Sequence, residues 1–237
     1  MYFVFDTETS GLPAKRMPKY TDDDAYSTCR VVSIAWTVVG ADFKVLRKGY
    51  FLVKPMDFVI PPEATAIHGI TNKEACASGY AIADVVAAMR ADLLACKCLV
   101  AHNISFDFGV VLYELYRIRE RGLINHMFGC ERLCTMRLGK ERLGLKKMPR
   151  LGELYAALFD GRVLEGAHNA AVDTDCCVEC FCALLGPKVV VGPEEEAGHE
   201  EEAKEKELEK EAEEEEEKEA EEEQPACAKD QDNLPER

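Results

Sequence analysis

The sequence predicts an α/β domain, from two patterns that recur along it. Short apolar runs rich in β-branched and aromatic residues, at 2–5, 31–39, 44–53 and 98–101, have the length and composition of strands. Elsewhere apolar residues return every three or four positions, as Ile82, Val85, Val86, Met89 and Leu93 do, which is the stripe of a helix packed on one side. Strands interleaved with such helices read as a sheet covered by helices.

The first run, Tyr2-Phe3-Val4-Phe5, drives a strand into the core and ends in Asp6-Thr7-Glu8 before a Gly11-Leu12-Pro13 turn. Strand side chains alternate between faces, so Asp6 and Glu8 point one way and Thr7 the other. Two carboxylates on one face of a buried strand repel each other unless a cation lies between them. Hard oxygen ligands of this kind suit Mg²⁺ or Mn²⁺. Taken alone, the pair reads rather as solvated acids at a strand exit, and a metal site calls for further acids downstream.

Residues 14–30 are rich in Lys, Asp and Pro and read as a loop. The strand at 31–39 turns at Gly40-Ala41-Asp42 into the strand at 44–53, an antiparallel hairpin. Pro55, Pro61 and Pro62 then argue against regular structure. Thr71-x-x-Glu74 has the form of a capping box ahead of the 82–93 stripe. The short strand 98–101 runs into His102-Asn103-Ile104-Ser105-Phe106-Asp107. The helix that follows has a stripe of Phe108, Val111, Leu112 and Leu115. Asp107 falls in its first turn, where the helix dipole favours a negative charge. Residues 132–150 carry seven Lys or Arg against Glu141 alone, and read as a helix and loop whose excess charge favours phosphate contact. Lys15, Arg16 and Lys19 would add to it. Residues 151–159 form a short amphipathic helix, 161–166 a loop, and 169–185 the last helix of the body.

Charge divides the 237 residues into two materials. The formal net charge is −15, yet 22 of the 44 acids lie from Glu194 onward with only 6 of the 29 bases, so residues 1–193 are nearly neutral. The expected division is a domain at 1–190 and a Glu/Lys-rich acidic tail at 191–237. The tail has no apolar stripe and reads as disordered or as a single solvated helix. It is a solubilising appendage, or a polyanion that occupies a basic groove or recruits a basic protein.

The 11 cysteines are not a disulfide framework. The amino terminus lacks the basic region and long apolar run of a signal peptide, and no segment approaches a membrane span. The expectation is an intracellular, soluble protein of a reducing compartment, cytoplasm or nucleus, its thiols serving as small core residues. Cys177-x-x-Cys180 invites a zinc reading, but Cys130 and Cys134 are its only candidate second pair. The shared helical face of 173, 176, 177, 180 and 184 favours a core role instead.

Two further acids complete a chemical pattern. Asp107 lies where a strand gives way to a helix, and Asp173 lies five residues after His168 at the start of another. Phosphoryl transfer with two divalent ions calls for such a set of carboxylates. A neutral imidazole nearby suits proton removal from water at working pH.

On these residues the chain resembles the DEDDh exonucleases, the DnaQ-like proofreading nucleases with an RNase H-like fold. Asp-Thr-Glu-Thr-Ser-Gly-Leu-Pro at 6–13 is similar to their first motif, and 100–107 to their second. His168 with Asp173 is similar to the H-x4-D third motif. Ala66-Ile67-His68-Gly69-Ile70-Thr71 is similar to a segment of the bacterial proofreading subunits. The resemblance spans about residues 2–186. It implies Asp6, Glu8, Asp107 and Asp173 as ligands of two Mg²⁺ or Mn²⁺ ions, with His168 as general base. It implies Thr9, His68, Asn103 and Phe106 around the 3′-terminal nucleotide. The implied fold is a mixed five-stranded sheet flanked by helices, with the first strand near its centre and the second antiparallel to it. The implied activity is 3′→5′ release of nucleoside monophosphates from single-stranded or frayed 3′ ends. DNA is favoured because the first motif is similar to the proofreading and repair branch, whereas Met commonly follows the Glu in the oligoribonucleotide branch. The alternatives are an RNA 3′-trimming exonuclease of the same fold and a non-catalytic nucleic-acid-binding domain. His102 is expected to be structural.

Overall fold

The computed structural model describes residues 1–186; the acidic tail and the expected boundary at 190 lie outside them. Strand β1 (Tyr2–Thr9) is the centre of a five-stranded sheet of order β3-β2-β1-β4-β5. On one side β2 (Val31–Val39) pairs antiparallel with β1, and β3 (Val45–Leu52) continues the hairpin at the edge. On the other side β4 (Cys98–Ala101) and β5 (Glu131–Cys134) run parallel to β1. The mixed sheet with a central first strand is the expected one.

The alternation of β1 sorts its side chains between two cores. Phe3 and Phe5 go to the face covered by α4 (Ile82–Ala95), α5 (Ile104–Arg117) and α6 (Arg121–Gly129). Val4 goes to the opposite face, where α9 (Ala170–Leu185) supplies Cys177, Val178 and Phe181. Each such large apolar side chain taken fully from water contributes about 1.5–3 kcal/mol. α7 (Thr135–Arg142) and α8 (Leu151–Leu158) pack beside α9. Trp36 of β2 lies 5.7 Å from Phe51, nearly parallel, and donates its indole N–H to Asp92. Its ring covers Gly49 of β3, where a Cβ would come within 2.2 Å of the indole.

Four segments differ from the sequence reading. Residues 14–30 are not all loop: α1 (Asp23–Tyr26) is capped by Asp22, and Tyr26 is buried against Tyr113, ring centroids 4.6 Å apart. The prolines at 61 and 62 begin a helix rather than prevent one. α2 (Pro62–His68) places Pro62 in the first turn, where a missing N–H costs nothing. The capping residue Thr71 accepts from Glu74 N as expected, but its helix, α3 (Asn72–Ser78), stops before α4 because Tyr80 bridges to Val53. The basic segment 132–150 begins as strand β5, whose first two residues are exposed at the sheet edge. Among the described residues no helix is long and apolar enough to cross a membrane.

Candidate active site

The face sorting along β1 builds the site. Asp6 and Glu8 follow Val4 onto the α9 face, and α9 brings Asp173 to them in its first turn. Asn169 caps that helix, its side chain accepting from the Ala171 and Val172 amides. One oxygen from each of Asp6, Glu8 and Asp173 lies within 4.8 Å of the others. Asp173 Oδ2 accepts from the His168 amide at 3.0 Å, whereas its Oδ1 is buried without a partner.

Asp107 reaches the same place from the other face. It sits in the first turn of α5, 3% exposed. Its Oδ1 accepts from both the amide of Thr7, at 3.0 Å, and the Thr7 hydroxyl, at 2.8 Å. Asp107 stands outside the tightest group of three oxygens, yet its charge acts on both Asp6 and Glu8.

The electrostatics are those of an uncompensated anion cluster. Burial raises the Asp6 carboxyl well above the usual range, and Asp107, Asp173 and Glu8 raise it further. Glu8 is pushed up to about 7 by burial, then by Asp173 and Asp107. Asp107 also reaches about 7 through burial, although the Thr7 bonds oppose the shift. Asp173 is raised by burial, and the His168 amide bond opposes this. Hard oxygen donors, mutual repulsion and an orphaned buried oxygen together fit a divalent cation.

The remaining predicted residues surround this cluster unevenly. His168 is exposed on the loop before α9 and holds a left-handed backbone, φ 66°. Such a conformation is uncommon for a residue with a side chain and collects at functional sites. Asn103 shares it, φ 62°, caps α5 with no side-chain bond, and so leaves its amide available. Phe106 and Asn103 are among the residues that line a groove of about 1160 Å³. Thr9 turns its hydroxyl onto the Gly11 carbonyl at 2.8 Å. His68 is 8% exposed; its Nδ1 accepts from the Ile70 amide at 3.1 Å, so in the neutral ring Nε2 carries the proton. That Nε2 faces the Thr9 carbonyl without a normal hydrogen bond and remains an orphan donor. Burial lowers the His68 pKa and keeps the ring neutral.

His102 has the structural role expected of it, bridging Thr135 Oγ1 at 3.0 Å and the Pro149 carbonyl at 3.1 Å. Cys176, Cys177 and Cys180 are buried core residues of α9. Cys130 lies elsewhere, against His126 and the Cys96 carbonyl. Sequence reasoning missed Thr7: the alternation placed it opposite the acids, but its partner lies 100 residues away. It also missed Arg30. This buried residue holds Glu114 of α5 through Nε at 2.7 Å and, through its backbone, holds Ser10 at the end of β1.

A sheet with this strand order, carrying convergent acids at the end of its central strand, has the RNase H-like exonuclease fold. The chain belongs to the exonuclease family RNase_T, whose model matches residues 3–181. Among solved structures it is similar to Escherichia coli exonuclease I. The zinc-bound form in complex with single-stranded DNA matches at TM-score 0.61 and 21% identity, over 77% of this chain and 40% of that one. The complex with a dA16 oligonucleotide matches at 0.61 and 22%, with the same coverage. A moderately thermophilic exonuclease I from Methylocaldum szegediense matches at 0.58 and 21%, over 77% and 39%. The chain thus spans about 40% of the length of these proteins. No curated protein matches it in sequence.

Proposed function

We propose that the protein is a 3′→5′ exonuclease of the DEDDh type, releasing nucleoside monophosphates from single-stranded or frayed DNA 3′ ends by phosphodiester hydrolysis. The observation that carries this reading is the convergence of carboxylates from residues 6–8, 107 and 173 at one end of β1. Its family is an exonuclease family, and two of the Escherichia coli exonuclease I structures similar to it in fold are complexes with single-stranded DNA or a dA16 oligonucleotide.

Asp6, Glu8, Asp107 and Asp173 would hold two divalent cations, Mg²⁺ or Mn²⁺, which supply positive charge and acidify water when bound. Thr7 fixes one oxygen of Asp107 and leaves the other for the site. His168 takes the proton of the attacking water at a ring nitrogen, while its amide keeps the Asp173 carboxylate oriented. His68 Nε2–H donates to an oxygen of the terminal nucleotide, which relieves its orphaned donor. Phe106 and Asn103, which line the groove, receive the terminal base and sugar.

Single strands of DNA and of RNA, labelled at the 5′ end, test this with Mg²⁺ or EDTA and with wild type or Asp107→Ala. Progressive shortening of DNA from the 3′ end, only with Mg²⁺ and only by wild type, is expected. Faster shortening of RNA would give the RNA-trimming alternative. Binding without shortening would give the non-catalytic one.

A further inference from the structure

The groove lined by Asn103 and Phe106 is lined as well by residues of the 12–21 loop and of α7, and it carries the aromatic rings of Tyr20, Phe108 and Phe128. Its volume of about 1160 Å³ exceeds the range of roughly 300–1,000 Å³ typical of a pocket for one small ligand. Phe128, in the last turn of α6, is 51% exposed, beside half-buried Tyr20 and buried Phe108. Its ring centroid lies 5.6 Å from that of Tyr20 and 5.7 Å from that of Phe108. The Arg132 guanidinium covers Phe108 at 4.7 Å. Arg16, Lys19, Arg132 and Arg137 line the same groove, and among the described residues none of them pairs with a carboxylate. Neighbouring Lys15 and Lys147 do, with Asp22 and Glu153.

From this we infer that the groove is the path of the single strand behind its 3′ end: bases stack on Phe128 and Tyr20, and phosphates lie against Arg16, Lys19, Arg132 and Arg137. The inference rests on the exonuclease reading for the strand's direction and deepens it by fixing where the upstream nucleotides go. Aromatic faces give sequence-tolerant stacking, and unpaired cations along one track give counterion release. A polynucleotide is the occupant this selects, because Asn103 and Phe106, which line the groove, stand at the same end of α5 as Asp107, and a chain with its 3′ end at the acids would pass them.

The test is fluorescence anisotropy of labelled oligo-dT from 2 to 12 nucleotides in EDTA, where cleavage is excluded, alongside KM and kcat on the same series with Mg²⁺. Wild-type affinity should rise with length and level off after about six nucleotides, within the site sizes of single-strand grooves. Phe128→Ala should weaken the long oligomers about ten-fold and leave the dinucleotide unchanged. In turnover it should raise KM for long strands at constant kcat. Lys19→Glu, a surface change on a separate segment, should do the same and steepen less with salt. Affinity independent of length in wild type, or both variants binding long strands as wild type does, would overturn the assignment. Length-dependent binding with no hydrolysis of any oligomer would support the groove and contradict the nuclease. Hydrolysis at one rate for every length would do the reverse.

Discussion

Asp107 Oδ1 accepts two hydrogen bonds from a single residue, Thr7, through its amide at 3.0 Å and its hydroxyl at 2.8 Å. The pair joins the two faces of the sheet at the site. Thr7 points away from Asp6 and Glu8, so an acid carried by α5 on one face is locked to the strand that presents acids to the other. Hydrogen bonds to a charged group contribute about 1.5–3 kcal/mol. Thr7→Val keeps the amide bond and the shape but loses the hydroxyl. It should lower kcat roughly ten-fold with an unchanged fold, and Thr7→Ser should restore most of the rate.

The acids act against the fold when no cation is present. Glu8→Gln removes one charge from the cluster, so in EDTA at pH 8 it should raise the melting temperature by roughly 2–6 °C, as expected for relief on the order of 1–2 kcal/mol. The same variant should lose nuclease activity. A lower melting temperature in EDTA would show that the carboxylates do not strain the metal-free protein.

The pH dependence follows from the same cause. Glu8 and Asp107 have folded pKa values raised to about 7, and Asp6 and Asp173 are also raised. Between the unfolded carboxylate range near 4 and the folded value near 7, the native state binds more protons than the unfolded chain. The favourable contribution present below pH 4 is therefore lost as pH rises through 7. In EDTA, wild type should lose stability relative to Glu8→Gln from pH 5 to pH 8, and saturating Mg²⁺ should reverse the difference. Thermal melts of both proteins across this range, with and without Mg²⁺, check it.

His68 offers a fixed donor, since Ile70 holds its Nδ1 and leaves the proton on Nε2. His68→Phe fills the volume but cannot donate. It should lower kcat/KM about ten-fold or more on single-stranded DNA, as for a lost hydrogen bond to a charged acceptor. Retention of full activity would make His68 a packing residue.

Arg30 and Glu114 are both nearly sealed from water, 5% and 2% exposed, and meet through two nitrogen–oxygen contacts at 2.7 and 3.2 Å. Glu114→Ala leaves a buried guanidinium half-paired, although Asp57 still accepts from it at 2.9 Å. Loss of a buried partner costs about 3–5 kcal/mol, and chemical denaturation should read a fall toward that size.

Much of the site was legible because short spacings carry it. The period of two in β1 put Asp6 and Glu8 on one face, and the H-x4-D spacing put His168 and Asp173 together at the start of α9. What the spacings did not reveal were partners fixed by tertiary contact, such as Thr7 with Asp107 or Arg30 with Glu114. Strand β5 escaped because Glu131 and Arg132 face solvent at a parallel edge and only Cys134 is buried. The helix at Pro62 escaped because proline both breaks helices and starts them, and only the chain direction at Pro61 decides which.

The central claim is that four side chains from three distant segments share a pair of divalent cations. Anomalous scattering from crystals soaked in Mn²⁺ with a nucleoside 5′-monophosphate measures it directly. Two peaks about 3.5–4 Å apart, within ligand distance of Asp6, Glu8, Asp107 and Asp173, are predicted. No peak at the end of β1, or a peak that Asp107→Ala leaves unchanged, would contradict it.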